Sequence, residues 1–363
     1  MSAFLDVFED VTKCGTKIPS NQYLPNGKYP IIDQGQNKVA GYTDQEEGLF
    51  TNVPAIIFGD HTRIIKYVDE PCFLGADGAK LLKAKSECAN YKYLYYVLLN
   101  AKIPDTGYNR HFKWLKEIDV PLYDEEKQRN IVKELDKITD LIDKRKEQLE
   151  KLDELVKARF VELFGDPVLN PNNWDVVTIG DIVTDVRYGT SKPAVEGGKY
   201  PYLRMNNLTY DGHLDLSDMK YIDIPDNEIE KCIVRKGDVL FNRTNSIELV
   251  GKTCVFDLDD EMVIAGYIIR VRLNEKLLPI VLSSYMNSTV LKEQLRNMAK
   301  GAVNQANINA QELQSIKIYL PPLELQEQFA AFVEQTDKSK LEVQKSLEKL
   351  ELLKKALMQK YFG

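Results

Sequence analysis

The sequence predicts a mixed α/β (α+β) fold made twice: two domains joined by two long antiparallel coiled-coil helices, with a pseudo-two-fold internal repeat. Three observations predict it. Residues 125–165 align without a gap on residues 323–363. The stretches ahead of the two copies share short motifs in the same order. Between those motifs lie short apolar runs bounded by turn residues, the pattern of strands rather than of long helices.

The repeated stretch comes first because its match is closest. Gln128 falls on Gln326, Leu149 on Leu347, Leu152 on Leu350, Leu155 on Leu353, Ala158 on Ala356, and Phe164-Gly165 on Phe362-Gly363. In the first copy Ile131, Leu135, Ile138, Ile142, Leu149, Leu152 and Val156 step by threes and fours, with Arg145 the exception. A stripe of this width faces a partner helix. Phe329, Val333, Val343, Leu347 and Leu350 continue the seam in the second copy, where Thr336 and Lys340 interrupt it. Neither copy has an internal proline or glycine. Each is expected to run about 35 residues, or ~50 Å at 1.5 Å per residue. Two matching seams in one chain are expected to pair with each other, antiparallel, with Arg145, Thr336 and Lys340 as polar register positions.

Taken in order, Phe4–Pro19 lines up with Thr178–Pro193 through Gly-Thr-x-x-Pro, and Gly27-Lys28-Tyr29-Pro30 with Gly198-Lys199-Tyr200-Pro201. Strands are predicted at 55–58 and 63–68 in the first half. The second half should have them at 238–241, in Thr253-Cys254-Val255-Phe256, and across 262–273. Short helices follow at 91–100 and 278–288. Each half then closes with a polar loop, a strand and a proline corner, at 106–122 and 300–323. Pro121 and Pro322 mark the helix entries, because proline is not tolerated in a helix interior. The segment 165–174, rich in Pro and Asn, reads as a linker. The domains are therefore 1–124, helix 125–165, domain 166–322 and helix 323–363.

A chain of 363 residues suits two or three domains, and 44% hydrophobic with 28% charged residues suits folded cores. No apolar run approaches ~18 residues, and the first residues lack the blocks of a signal peptide, which predicts a soluble, cytoplasmic protein. The five cysteines are scattered, with no CxxC pair, and read as reduced thiols. His61, His111 and His213 have no ligand spacing, so no metal is expected. Net charge is -7, and neither 1–124 (14 basic, 16 acidic) nor 166–322 (17 basic, 21 acidic) is a basic block. Any nucleic-acid contact must then rely on local cation clusters or on another subunit.

The chain has no GxxxxGK loop, GxSxG elbow or strand-borne GxGxxG, and no Asn-Pro-Pro-Tyr or Asp-Pro-Pro-Tyr box; Pro321-Pro322 has no amide or acid before it. What it has is polar loops. Amides and guanidiniums on loops can make bidentate pairs with adenine or guanine edges. In the first half they fall at Gln34, Gln36, Asn37 and Lys38; at His61, Thr62 and Arg63; and at Tyr108, Asn109, Arg110, His111 and Lys113. In the second they fall at Arg187, Tyr188, Thr190, Ser191 and Lys192; at Arg204, Asn206, Asn207, Arg243, Thr244, Asn245 and Ser246; and at Lys300, Asn304, Gln305, Asn307 and Asn309. Taken singly, each reads equally as an ordinary turn residue. Clusters recurring in both halves carry more weight.

These residues carry a resemblance. Residues 27–32 (GKYPII) and 198–203 (GKYPYL), the runs KGDVLFNRT and IAGYIIRVR, and the closures VPLYDEEKQ and LPPLELQEQ resemble the specificity subunit of type I restriction-modification systems, over essentially the whole chain. The resemblance implies that 1–124 and 166–322 are target-recognition domains, each reading half of a bipartite, asymmetric sequence in double-stranded DNA. It implies that the paired helices set the spacer. Two modification subunits, carrying S-adenosylmethionine, and ATP- and Mg-dependent restriction subunits would dock on the frame. It implies no cofactor and no catalysis in this chain. Read from the residues alone, two alternatives stay open: a coiled-coil scaffold with two heads that bind no nucleic acid, and a diverged single-chain methyltransferase or nuclease.

Overall fold

The Gly-Lys-Tyr-Pro motif opens the same strand in both halves. In the computed structural model, which describes residues 1–75, 78–299 and 306–363, Lys28 N donates to Asp44 Oδ1 and Lys199 N to Asp223 Oδ1, each at 2.9 Å. Both lysines lie over the ring of the tyrosine that follows. The glycine is required: a Cβ at Gly198 would come within 2.6 Å of the Ile222 backbone. The strands that follow, Tyr29–Ile32 and Tyr200–Leu203, each pair antiparallel on one side, with Gly41–Thr43 and Lys220–Ile222. On the other side each pairs parallel, with Phe73–Leu74 and Met262–Ile264.

A second, antiparallel sheet in each half has the same plan. Its order is Phe8–Asp10, Ala79–Ala84, Ala55–Gly59, Ile65–Val68 in the first half, and Val183–Tyr188, Ile268–Leu273, Val239–Asn242, Thr253–Val255 in the second. Alternation along the central strand decides what each face covers. Ile56 and Phe58 pack on Phe4, Phe8 and Tyr93, whereas Ala55 and Ile57 pack on Ile32, Leu74 and Leu81. Val239 and Phe241 likewise face the helical side, and Leu240 faces Leu203, Cys254 and Ile264. A strand covered on both faces reads as an unbroken apolar run, as Ala55–Phe58 does. The predicted strand 262–273 is two strands, Met262–Ile264 and Ile268–Leu273, each in a different sheet. Cys72, Cys232 and Cys254 are buried and Cys14 and Cys88 exposed, all as free thiols.

The two long helices span Glu125–Phe164 and Leu323–Phe362, 40 residues each. The chain divides into two units that cut across both helices, Met1–Lys146 with Gln344–Gly363, and Glu147–Val343. Within the first unit Tyr361 Oη donates to Glu134 at 2.6 Å and Lys146 pairs with Glu351 at 3.6 Å, so numbering falls on one helix as it rises on the other. Within the second, Phe329 meets Phe160 and Phe164 at ring distances of 5.5 and 5.4 Å, and Lys340 pairs with Asp153 at 2.5 Å. Both units pair the helices antiparallel. The polar interruptions are accommodated rather than disruptive: Thr336 is buried, with its hydroxyl on Phe332 O of its own helix, and Lys340 ends on a carboxylate of the facing helix. No helix among the described residues is long and apolar enough to cross a membrane.

The sequence reading had no helix at Thr289–Met298, although Ser288 caps it by accepting from Leu291 N. This helix carries Lys292 inward, 4% exposed, with Nζ donating to Gly251 O at 2.8 Å and lying over the Tyr210 ring. Burial, with Arg296 and Lys252 adding repulsion, pushes the Lys292 ammonium down to about 7. The unfolded chain therefore binds more protons than the folded one between about pH 7 and the normal lysine range, and stability rises with pH across that window. Lys292→Met should flatten this rise, read from urea midpoints at pH 7 and pH 9.5; an unchanged slope would place the titration elsewhere.

Phe329 is fully buried between Phe160 and Phe164. Phe329→Ala is expected to cost about 3–5 kcal/mol in urea unfolding. A loss under ~1 kcal/mol would mean that the aromatic stack does not hold the helix pair.

Candidate nucleic-acid interface

In the first unit the interface is built outward from a buried acid. Asp60, 4% exposed, directly follows the central strand Ala55–Gly59. Its carbonyl accepts from His111 N at 2.7 Å and lies 3.0 Å from His111 Nδ1, and its Oδ1 accepts from Phe112 N at 2.8 Å. The segment 105–111 is thereby fixed beside the turn 60–63. That turn is held in place by Gln34, whose Oε1 accepts from His61 N at 3.1 Å and whose carbonyl accepts from Thr62 Oγ1 at 2.6 Å. Arg63 sits at φ +62°, a conformation costly for a side chain bearing a Cβ. It is kept there by its N–H on Gly59 O and by its guanidinium on Asp105 at 2.7 Å. The Asp105 carboxyl is held below its ordinary range by Gly107 N–H and by Arg63.

Three stretches far apart in sequence thus meet. At their junction the His61 ring stacks on Tyr108, centroids 4.6 Å apart and 8° from parallel, and His61 Nδ1 lies 3.2 Å from Asn109 O. Tyr108 is 88% exposed, so one face of the ring is fixed and the other faces solvent. Gln36, Asn37, Lys38 and Arg110 are exposed nearby in sequence, and the Asn37 carbonyl accepts from the buried Lys66 ammonium at 2.5 Å. Lys113 lies over the Trp114 ring at 4.1 Å. Lys38, Arg110 and Lys113 have no carboxylate partner among the described residues, which leaves them open to anions.

The second unit presents a comparable stack. The Arg243 guanidinium lies 5.0 Å over the Tyr188 ring, and the Tyr188 hydroxyl accepts from Ala310 N at 2.8 Å. Arg243 is pinned through its backbone, N–H on Tyr267 O and carbonyl accepting from Ile308 N, each at 2.9 Å. Its buried Nε makes no hydrogen bond, and it has no acid partner among the described residues. Strand Thr244–Asn245 pairs with Ala306–Asn307, and Thr244 Oγ1 donates to Asn307 Oδ1 at 2.8 Å. Asn245 donates to Asn242 Oδ1 at 2.8 Å, and buried Asn242 holds the Tyr267 and Thr244 carbonyls. Tyr188, Arg243, Asn245 and Asn307 therefore form one surface, while Thr244, expected as a reader, is 5% exposed with its hydroxyl spent on Asn307 and belongs to the framework. Lys300, Asn304 and Gln305 lie outside the described residues.

Other expected readers are placed differently. His111 is fully buried and belongs to the framework. Asn207 is 2% exposed and its amide is used on Arg204 N and Asp215 O, so it has no edge left for a base. Arg204 is tied to Asp218 at 2.8 Å, Lys192 to Glu228 at 2.8 Å and Arg187 to Asp185 at 2.9 Å. Ser191 and Asn206 are exposed. Sequence reading also overlooked Asp60 and Asn242, which position the others. Their only signal was an Asp or Asn closing an apolar strand. No group of three His, Cys, Asp or Glu able to hold a metal occurs among the described residues.

Each of the two units thus carries an aromatic-backed polar surface on the same sheet plan and is braced by its own antiparallel helix pair, the build of a duplicated domain protein. The model of the type I restriction modification DNA specificity domain matches residues 3–153 and again 171–352, and the chain belongs to that family. It is 33% identical over 196 residues to a Methanocaldococcus jannaschii protein provisionally named type I restriction enzyme MjaX specificity subunit, covering 53% of this chain and 46% of that one. It is 24% identical over 265 residues to the type I restriction enzyme EcoKI specificity subunit of Escherichia coli K12, covering 68% and 57%. The chain thus spans about half the length of the curated relatives it matches. In fold it is similar to the S subunit of a type I restriction-modification system from M. genitalium, with a TM-score of 0.59 at 17% identity, over 99% of this chain and 95% of the other.

Framework and surface are separable by mutation. Tyr108→Ala should leave stability within about 0.5 kcal/mol. Asp60→Ala strands a buried N–H and should cost about 1–3 kcal/mol. Urea unfolding of the two variants tests the division, and equal losses would merge the two roles.

Proposed function

We propose that this chain is a DNA-specificity subunit of a type I restriction-modification complex, with no catalysis of its own. Residues 1–124 and 166–322 serve as target-recognition domains and 125–165 and 323–363 as the helices between them. The observation that carries this reading is the convergence of three separate polar loops on the exposed His61–Tyr108 stack, with the Tyr188–Arg243 stack in the other half. Arg243 is suited to a guanine edge: a guanidinium with no acid partner among the described residues, oriented by an aromatic ring. Lys38, Arg110 and Lys113 are suited to phosphates. Modification subunits carrying S-adenosylmethionine, and restriction subunits using ATP and Mg, are the proposed partners, and they would supply the chemistry.

The test is selection of a randomised duplex pool by the chain co-expressed with its modification subunit. Enrichment of two short motifs at a fixed gap is expected. Arg243→Ala should then relax one motif only, and Asn109→Ala the other, each by about 1–3 kcal/mol if the contact is bidentate. Loss shared equally by all sequences would mark a phosphate contact. No enrichment at all would favour a scaffold with non-nucleic-acid heads.

A further inference from the structure

The repeat places one glutamine in both halves, with different results. Gln326, in the first turn of the second long helix, is 1% exposed and its amide is fully engaged. Oε1 accepts from Leu278 N at 2.8 Å, and Nε2 donates to Lys276 O at 3.0 Å and Pro321 O at 2.8 Å. It thereby fastens the loop between strand Ile268–Leu273 and helix Pro279–Met286 onto the start of the long helix. Leu277 is buried there, and Leu278 packs on the same core.

Gln128 holds the matching position in the first copy. Its Nε2 donates to Tyr123 O at 2.7 Å, the counterpart of the Pro321 bond, and the likeness ends there. Gln128 makes no hydrogen bond to the loop between Ala79–Ala84 and Tyr91–Leu99, and it is only half-buried. Leu278 caps the second-half helix as Asn90 caps the first, so where the second half has Leu277-Leu278 this loop has Ala89-Asn90, and Cys88 just ahead of them is exposed. The absent leucines leave a cleft of about 370 Å³, lined by Val7, Cys88, Asn90, Leu94, Tyr123 and Gln128. That is within the ~300–1,000 Å³ typical of ligand sites.

We propose that this cleft receives an extended peptide segment of a partner polypeptide, carrying adjacent leucines and giving one backbone N–H and one carbonyl to the Gln128 amide. The chain's own Lys276–Leu278 segment does this for Gln326. The Tyr123 carbonyl fixes the orientation of the Gln128 amide, which leaves Oε1 as acceptor and a second Nε2 hydrogen as donor. That alternation is the one a peptide backbone satisfies. Val7 and Leu94 supply the apolar wall for the leucines. Asp6 also lines the cleft and suits a lysine placed as Lys276 is, while Glu125 and Arg129 there pair with each other at 3.2 Å. At Gln326 the chain's own loop occupies the equivalent place. A partner recognised here binds once per chain, although the frame is duplicated.

The probe is a capped peptide Asn-Glu-Lys-Leu-Leu-Pro, the sequence of residues 274–279, added to the full chain while alkylation of Cys88 is followed. Cys14, the other exposed thiol, is the internal reference. The peptide should slow Cys88 several-fold and leave Cys14 unchanged, and a peptide with serine for both leucines should protect neither. Gln128→Ala should remove the protection. Ala89→Leu, which fills the cleft as the second half does, should remove it while raising the melting midpoint. Unchanged Cys88 reactivity at millimolar peptide would overturn the proposal, as would equal protection by the serine peptide or protection that survives in both variants. The assay uses no DNA, so its outcome is separate from that of the recognition proposal.

Discussion

A helix with a narrow apolar seam must be covered by something else, and each half of this protein depends on that constraint. Forty residues with few apolar positions off the seam do not hold a helix by propensity; packing must do so. In the first unit Ile131 and Leu135 share a core with Tyr93 and Phe112 of the domain and with Met358 from the far end of the chain. Tyr93 Oη, bonded to Pro121 O, and Phe362, against the Tyr93 ring, close the same corner. The unit is therefore incomplete until the last twenty residues return to it. In the second unit Phe160, Phe164, Phe329 and Tyr285 do the equivalent work from residues closer in sequence. The cost of ordering the chain is accordingly unequal, because loop closure is longer for the first unit.

With the frame settled, the duplicated domains are free to differ where they face solvent. What is shared is mechanical: the lysine-tyrosine turn on an aspartate, the central strand covered on both faces, the strand pairings Ser2–Val120 and Val176–Tyr319 that tie each domain's start to its end. What differs is the means of presenting an aromatic stack. The first half positions it through a buried acid and a left-handed arginine; the second uses a buried asparagine and a short strand pair. The same backbone plan accepts either, because both act through carbonyls and N–H groups at strand ends.

The frame was legible because helix periodicity and a gapless internal match are redundant signals. Ala55–Phe58 was legible as a strand, being a bounded β-type run, and so was Tyr91–Leu99 as a helix. The split at Ala265–Tyr267 was not, since the apolar pattern continues through it and only sheet pairing reveals the change of sheet. Helix Thr289–Met298 passed unseen although its serine cap and spacing are ordinary. The polar loops were found as clusters, but their composition could not separate Arg243, free of acid, from Arg204, tied to Asp218, nor Tyr108 from buried His111. That distinction depends on which acid folds nearby, and sequence distance does not carry it.

The same distinction bears on how a protein of this acidity would read DNA as proposed. The long-range field of a chain with net charge -7 repels phosphate, and screening limits that repulsion to about 10 Å at ordinary ionic strength. Within that distance only cations lacking an acid partner count. Most arginines in the second unit are already compensated: Arg270 by Asp185, Arg272 by Asp238, and Arg235 by Glu230 and Glu261. Arg243 and Arg296 have no carboxylate partner among the described residues; Arg296 ends on the Tyr210 hydroxyl, whereas the Arg243 guanidinium lies over a ring and would give up no carboxylate on meeting a base. A surface of this kind gains little from non-specific attraction and much from a matched edge. On the proposed function, affinity for arbitrary DNA stays low, discrimination is carried by few residues, and the counterion-releasing contacts belong to whatever subunit encloses the duplex.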